Sequence, residues 1–215
     1  MKVFPIAIAL LMALFGQIAD HGKLERQVSG QVLTSGRNPA VQITFDQRFK
    51  YAGGQSFILY GVAEAEQHFF VQTSAGGKIE RFYWLQFEHY LPDNQHQYDY
   101  PPTRTLEAGG LTFVHDTRIF SDYAGGSSNP QSDSGKAREL FKNAGLNLPA
   151  HMARIRMFHL NDSSRRSELM IIYGEALEDK AAAGSADGVS ADEQAPEIAL
   201  RLRQHALEAM KIQKR

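Results

Sequence analysis

The chain of 215 residues contains no cysteine and a single tryptophan. Without a thiol there is no disulfide scaffold, no cysteine nucleophile, no thiolate metal site and no lipidated cysteine anchor. An excess of charge of one sign is missing too: 23 basic side chains stand against 24 acidic ones, with an isoelectric point near 6.7. Such a chain has no bulk field to draw it to nucleic acid, which is not expected as a partner. There is no Gly-x-Ser-x-Gly elbow, no phosphate-cradling glycine loop and no closely spaced histidine pair. The Gly-Gly pairs at 53–54, 76–77, 109–110 and 125–126 read as turn punctuation.

What is present is enough apolar sequence, 43%, for one domain with appendages. Met1-Lys2 opens an uncharged run from Val3 to Leu14, and Ala19 precedes polar sequence. A basic start, a short apolar run and a small residue before polar sequence is the layout of a secretory signal, here 1–19. The run is shorter than the ~20 apolar residues of a membrane span. The expected destination is secreted or periplasmic, with retention as an N-terminal anchor the alternative. Residues 20–177 form a β-rich domain and 178–195, made of small and acidic residues, a flexible linker. Pro196 then opens an amphipathic helix over 196–215, with Ile198, Leu202, Ala206 and Met210 as its stripe and a basic remainder. Membrane contact is expected only through the N-terminal signal or this helix.

Between these ends the sequence alternates. Residues 56–73 read as one long strand with Gly61, Ala63 and Ala65 on the same side as Phe57, Leu59 and Phe69. Glu64, Glu66 and His68 fall on the other side, read as a solvated face, with acid–base chemistry or cation binding as the alternatives. Ala75-Gly76-Gly77 turns the chain into a return strand over 79–91. A three-residue loop places Ala65 opposite Phe87, Ala63 opposite His89 and Phe69 opposite Tyr83; a two-residue loop inverts every face. Further strands are expected at Val28–Leu33, Val41–Tyr51, Leu111–Phe120, Met152–Leu160 and Glu168–Leu177. Gly135–Asn143 reads as a helix, with Ser134 as N-cap and Gly145 as stop. The resulting class is α+β: a curved antiparallel sheet or incomplete barrel of six to seven strands with one packed helix, plus a C-terminal helix on a flexible linker.

A curved sheet of this size can enclose one small ligand. In that arrangement Phe69, Tyr83, Phe87 and Phe113 supply contact area, Gln67, His89, His115 and His159 supply orienting hydrogen bonds, and the small residues leave the room. The expected function is an exported, non-enzymatic protein binding a small apolar or aromatic ligand on the concave face. Two alternatives stay open. His89, His115 and His159 together could hold a catalytic metal that activates water, or the C-terminal helix could recruit a partner. The long loop Pro92–Gly110, with Tyr98, Asp99, Tyr100 and Arg104, reads as a lid, or as a loop lying flat on its own domain. Arg154 and Arg156, with Arg165 and Arg166, read either as a modest basic area suited to an anion or simply as solvent-facing strand positions.

Overall fold

The computed structural model describes residues 23–126, 129–178 and 188–215. The expected N-terminal signal at 1–19 and residues 179–187 of the expected linker lie outside the described residues. The class is as the sequence indicates, α+β with antiparallel pairing between neighbouring strands and a C-terminal helix. The described strands number twelve rather than six or seven and divide between two sheets, neither closed into a barrel.

The smaller sheet holds β1 (Gln27–Ser29), β2 (Val32–Gly36), β3 (Ala40–Phe45) and β12 (Met210–Lys214), in that order. The expected strand at 28–33 is thus a hairpin, turned at Gly30, where φ is 58°. The larger sheet begins with β4 (Lys50–Leu59), β5 (Ala63–Thr73) and β6 (Ile79–Tyr90). It continues through β7 (Thr105–Ala108), β8 (Leu111–Phe120), β9 (Met152–Leu160), β10 (Ser167–Ala176) and β11 (Val189–Ser190). Its order is β11-β8-β9-β10-β6-β5-β4, with β7 beside β8.

Three local features correct the sequence reading. Residues 56–73 are two strands, because Tyr60 and Gly61 both take left-handed φ, 50° and 73°, and turn the chain between Leu59 and Ala63. Gly53-Gly54 lies inside β4, beside a bulge, and is no turn. The third feature decides the site. Near its loop the β5–β6 hairpin has the expected register: the Ser74 N–H donates to the Lys78 carbonyl at 2.9 Å and Thr73 faces Ile79. Gln72 then faces Arg81, leaving Glu80 as an extra residue. Beyond this bulge Ala65 faces Glu88, Glu64 faces His89 and Phe70 faces Tyr83. One inserted residue exchanges the two faces of β6 relative to β5.

The larger sheet is a middle layer. On one face Tyr83, Leu85, Phe87, Phe113, Ile155, Met157, Ile171 and Tyr173 pack against Leu33, Val41, Ile43 and Phe45 of the smaller sheet. The same core takes Ile198, Ala199, Leu202 and Ala206 of the C-terminal helix α3 (Pro196–Glu208). That helix ends earlier than its stripe suggested: Met210–Lys214 is β12, antiparallel to β3. Ahead of it, Val189–Ser190 pairs with β8 and Ala191–Gln194 forms the helical turn α2, so the last part of the expected linker is built into the domain. On the other face Phe69, Phe82, Trp84, Met170 and Ile172 pack under Leu140 and Phe141 of α1 (Asp133–Asn143). The N-cap of α1 is Ser132, whose Oγ accepts from the Gly135 N–H at 3.0 Å, not Ser134.

Candidate functional site

The β6 bulge separates the residues expected to share one cavity. Gln67 lies on the α1 face with Phe69, which packs against Phe141 of α1. Tyr83, Phe87 and Phe113 belong to the core beneath the second sheet and α3, which fill the space expected to be hollow. There the Tyr83 hydroxyl donates to the Ala206 carbonyl at 2.7 Å. The histidines do not converge: His89 meets Glu64 at 3.0 Å, and His159 bonds through Nδ1 to the Thr112 carbonyl at 2.9 Å. His115 is buried, and desolvation together with the Arg203 charge lowers its pKa. Among the described residues no group of three histidine or carboxylate side chains is placed to hold a metal ion.

Phe87 and His89 do reach a cleft of about 340 Å³ at the end of β5 and β6. Its size falls within the range of small-molecule sites, roughly 300–1,000 Å³. Phe57, Ile58, Ala65 and Phe87 supply its apolar wall, and Lys23, Glu25 and Arg26 from the segment before β1 close one side. Ile58 is half exposed, as are Tyr60 and Val62 on the same hairpin tip.

A buried polar chain anchors the cleft. Arg26, 9% exposed, lies over the Phe87 ring at 4.3 Å and donates through NH1 to Glu66 at 3.1 Å. The backbone amides of Glu25 and Arg26 also donate to the Glu66 carboxylate, each at 2.9 Å. Burial alone would raise the Glu66 carboxyl. Hydrogen bonds from His68 and the two amides, with the Arg26 charge, outweigh it and hold the group down to about 2. The carboxylate can only accept, so His68 donates from Nε2 at 2.7 Å, while its Nδ1 is hydrogen-bonded to the Tyr51 hydroxyl at 3.0 Å. Gly54 makes room for this contact: a Cβ there would sit 2.6 Å from the Tyr51 hydroxyl and 2.8 Å from His68 Nδ1. The face expected to be solvated is therefore largely buried at Glu66 and His68, while Glu64 is exposed.

Tyr51, His68 and Glu66 have the outline of a nucleophile, base and orienting acid. The chemistry does not follow the outline. Burial and the nearby Glu66 charge push the Tyr51 phenol well above its ordinary pKa, whereas an activated nucleophile needs it lowered. The chain therefore fixes the cleft floor.

The opposite face of the sheet carries a second polar array. Gln55 donates to Gln67, Gln67 to Gln86 and Gln86 to Glu88, at 2.8, 2.8 and 2.5 Å. Gln67 also reaches the Asp133 carbonyl at the start of α1, at 3.1 Å. Glu88 has Glu168 of β10 as its direct cross-strand partner. The loop after β6 covers both: Tyr98 donates to Glu88 at 2.7 Å and Tyr100 to Glu168 at 2.5 Å. The rings form a stacked row, Tyr90–Tyr98–Tyr100–Phe158, with centroids 4.5, 6.3 and 4.3 Å apart. Of the two readings of this loop, lid and flat cover, the second describes these contacts; Asp99 pairs outward with Arg165 at 2.6 Å. Burial raises both carboxyls, and Glu168, beside Glu88 and Asp133, is pushed up to about 8.

Arg26 and the Glu88–Glu168 pair were not singled out from sequence. Glu66 lies 40 residues from Arg26, and no local pattern links them. No protein-family model matches the chain, and neither the curated proteins nor the solved structures contain a match to it.

Proposed function

We propose that this is an exported binding protein, without chemistry of its own, that takes a small and partly apolar ligand in the cleft beside Arg26. The observation that carries this reading is the cleft itself: an aromatic and aliphatic wall stands against a guanidinium already fixed by Glu66, Glu25 and the Phe87 ring. Its lining joins that apolar wall to the polar or charged Lys23, Glu25, Arg26, Ser56, Glu64, Glu66 and His89, which suits a ligand that is apolar only in part. Export is supported by the sequence at 1–19. The proposed pocket differs from the sequence expectation in using Phe87 and His89 without the other six residues.

Fluorescence titration of residues 20–215 with 1-anilinonaphthalene-8-sulfonate tests the cleft. Ile58 is 48% exposed, so Ile58→Asn leaves the core untouched. It should weaken saturable dye binding about tenfold, the effect of roughly 1.4 kcal/mol of lost apolar contact. An unchanged titration in the variant, or no saturable binding by either protein, would remove the cleft from consideration.

A further inference from the structure

A second site is indicated on the α1 face of the large sheet, where Arg118 of β8 is the direct cross-strand partner of Arg154 of β9. Like charges placed opposite one another in a sheet repel. Arg156 follows two residues on, on the same face, and faces Asp116. That one carboxylate is committed to Arg156, which donates from Nε to both oxygens at 3.1 Å and from NH2 at 2.6 Å. It reaches Arg118 only at 4.0 Å. Among the described residues Arg154 has no salt-bridge partner, and its buried Nε has no hydrogen-bond acceptor. Burial and the Arg156 charge lower the pKa of its guanidinium, against the opposing influence of the Tyr123 phenol and Asp116. Glu168, the other acid that Arg156 feels, has its carboxyl pushed up by burial and by the Glu88 and Asp133 charges.

Aromatic rings fix the guanidinium planes: Arg154 lies over Phe120 at 4.7 Å and Arg156 over Phe158 at 5.3 Å. A guanidinium held by its face offers its N–H edge, which matches the paired oxygens of a carboxylate or phosphate. Three guanidiniums facing one carboxylate leave an excess of two positive charges. Partly buried cations without a counter-charge are unfavourable, and a dianion removes the imbalance that a single carboxylate would halve. We infer that Arg118, Arg154 and Arg156 form a binding site for a phosphate-type dianion, free or carried on a small soluble molecule. Arg165 and Arg166 are not part of it, since Arg165 pairs with Asp99 and Arg166 donates to the carbonyls of Leu91 and His96.

Isothermal titration and thermal unfolding of residues 20–215 with inorganic phosphate, against chloride at equal ionic strength, test the inference. Phosphate should bind with one-to-one stoichiometry and raise the melting temperature where chloride does not. Arg154→Met should abolish the phosphate response while unfolding no earlier than the parent in chloride. Should that variant not fold, Arg118→Gln, at a half-exposed side chain, should weaken phosphate at least tenfold. Equal effects of phosphate and chloride, or a wild-type response in Arg118→Gln, would overturn the site. Co-sedimentation with phosphatidylglycerol vesicles without any response to inorganic phosphate would overturn the assignment to a small soluble anion.

Discussion

Glu66 and Glu168 lie on opposite faces of one sheet, both less than 6% exposed, yet burial leaves them in opposite states. Glu66 is held down to about 2 and Glu168 is pushed up to about 8. Desolvation disfavours both carboxylates, so the difference lies in the donors. Glu66 has a guanidinium, an imidazole N–H and two backbone amides; Glu168 has one phenol and an acidic neighbour, Glu88, directly opposite. The region beside Arg26 thus holds a fixed charge next to an open cleft. The tyrosine-covered region holds a proton under a closed loop. Of the two, only the first leaves its charged groups beside open space.

The widest break in this comparison comes from removing the fixed charge. Glu66→Leu strands Arg26 and His68 and should cost about 3–5 kcal/mol in urea unfolding at pH 7. Adding Arg26→Met to it should recover much of the loss, because an apolar pair needs no desolvation of charge. A double variant no more stable than the single one would show that Arg26 is satisfied without Glu66. The next effect is one of pH. Glu66 contributes stability above its ordinary 4.5, lost as pH falls toward 2. Glu168 has the opposite sign: its folded pKa is raised, so no penalty exists below 4.5, and stability declines from 4.5 toward about 8. Glu168→Gln should remove a decline of about 1.4 kcal/mol per pH unit across that window. It should be more stable than the parent by about 3 kcal/mol at pH 7, and equal to it at pH 4. Parallel stability curves for the two proteins would mean that Glu168 titrates normally.

What could be read from sequence was whatever repeats locally. The strands at 111–120 and 152–160 have the limits that alternation gave them, and Pro196 starts its helix as its fixed φ favours. The antiparallel class follows from turns short enough to be hairpins. Glu80 could not be found in this way, because Ile79–Tyr90 runs into the unbroken apolar stretch Phe82–Leu85, where no alternation marks an inserted residue. That residue decided which side chains share a face, and with it the predicted cavity. Met210 is hidden for a different reason. It fits the four-residue stripe of α3 and is buried, but in a strand whose partner, β3, lies far back in the chain. Of the site, Phe87 and His89 were legible as neighbours on one strand face. Their floor, Arg26 and Glu66, is a long-range pairing with no sequence period. The face of Glu64, Glu66 and His68, expected to be solvated, is open only at Glu64: the segment before β1 covers Glu66, and Tyr51 of β4 covers His68.

The finest discrimination concerns the single donor of Glu168. Tyr100→Phe removes the hydroxyl at 2.5 Å while keeping the ring on Phe158 at 4.3 Å, so stacking is retained and the hydrogen bond alone is lost. A hydrogen bond of this kind contributes about 1 kcal/mol net, and the loss in urea unfolding at pH 7 should be of that size. Because the phenol stabilises the ionised carboxylate, its removal lets Glu168 keep its proton to higher pH. The carboxyl resonance of Glu168, followed by NMR, should therefore move its midpoint upward from about 8, in the direction opposite to that expected of a residue merely exposed by a loosened loop. A downward movement toward the ordinary 4.5 would identify Tyr100 as a cover that keeps water out, and would make the contrast with Glu66 one of solvent access and not of donors.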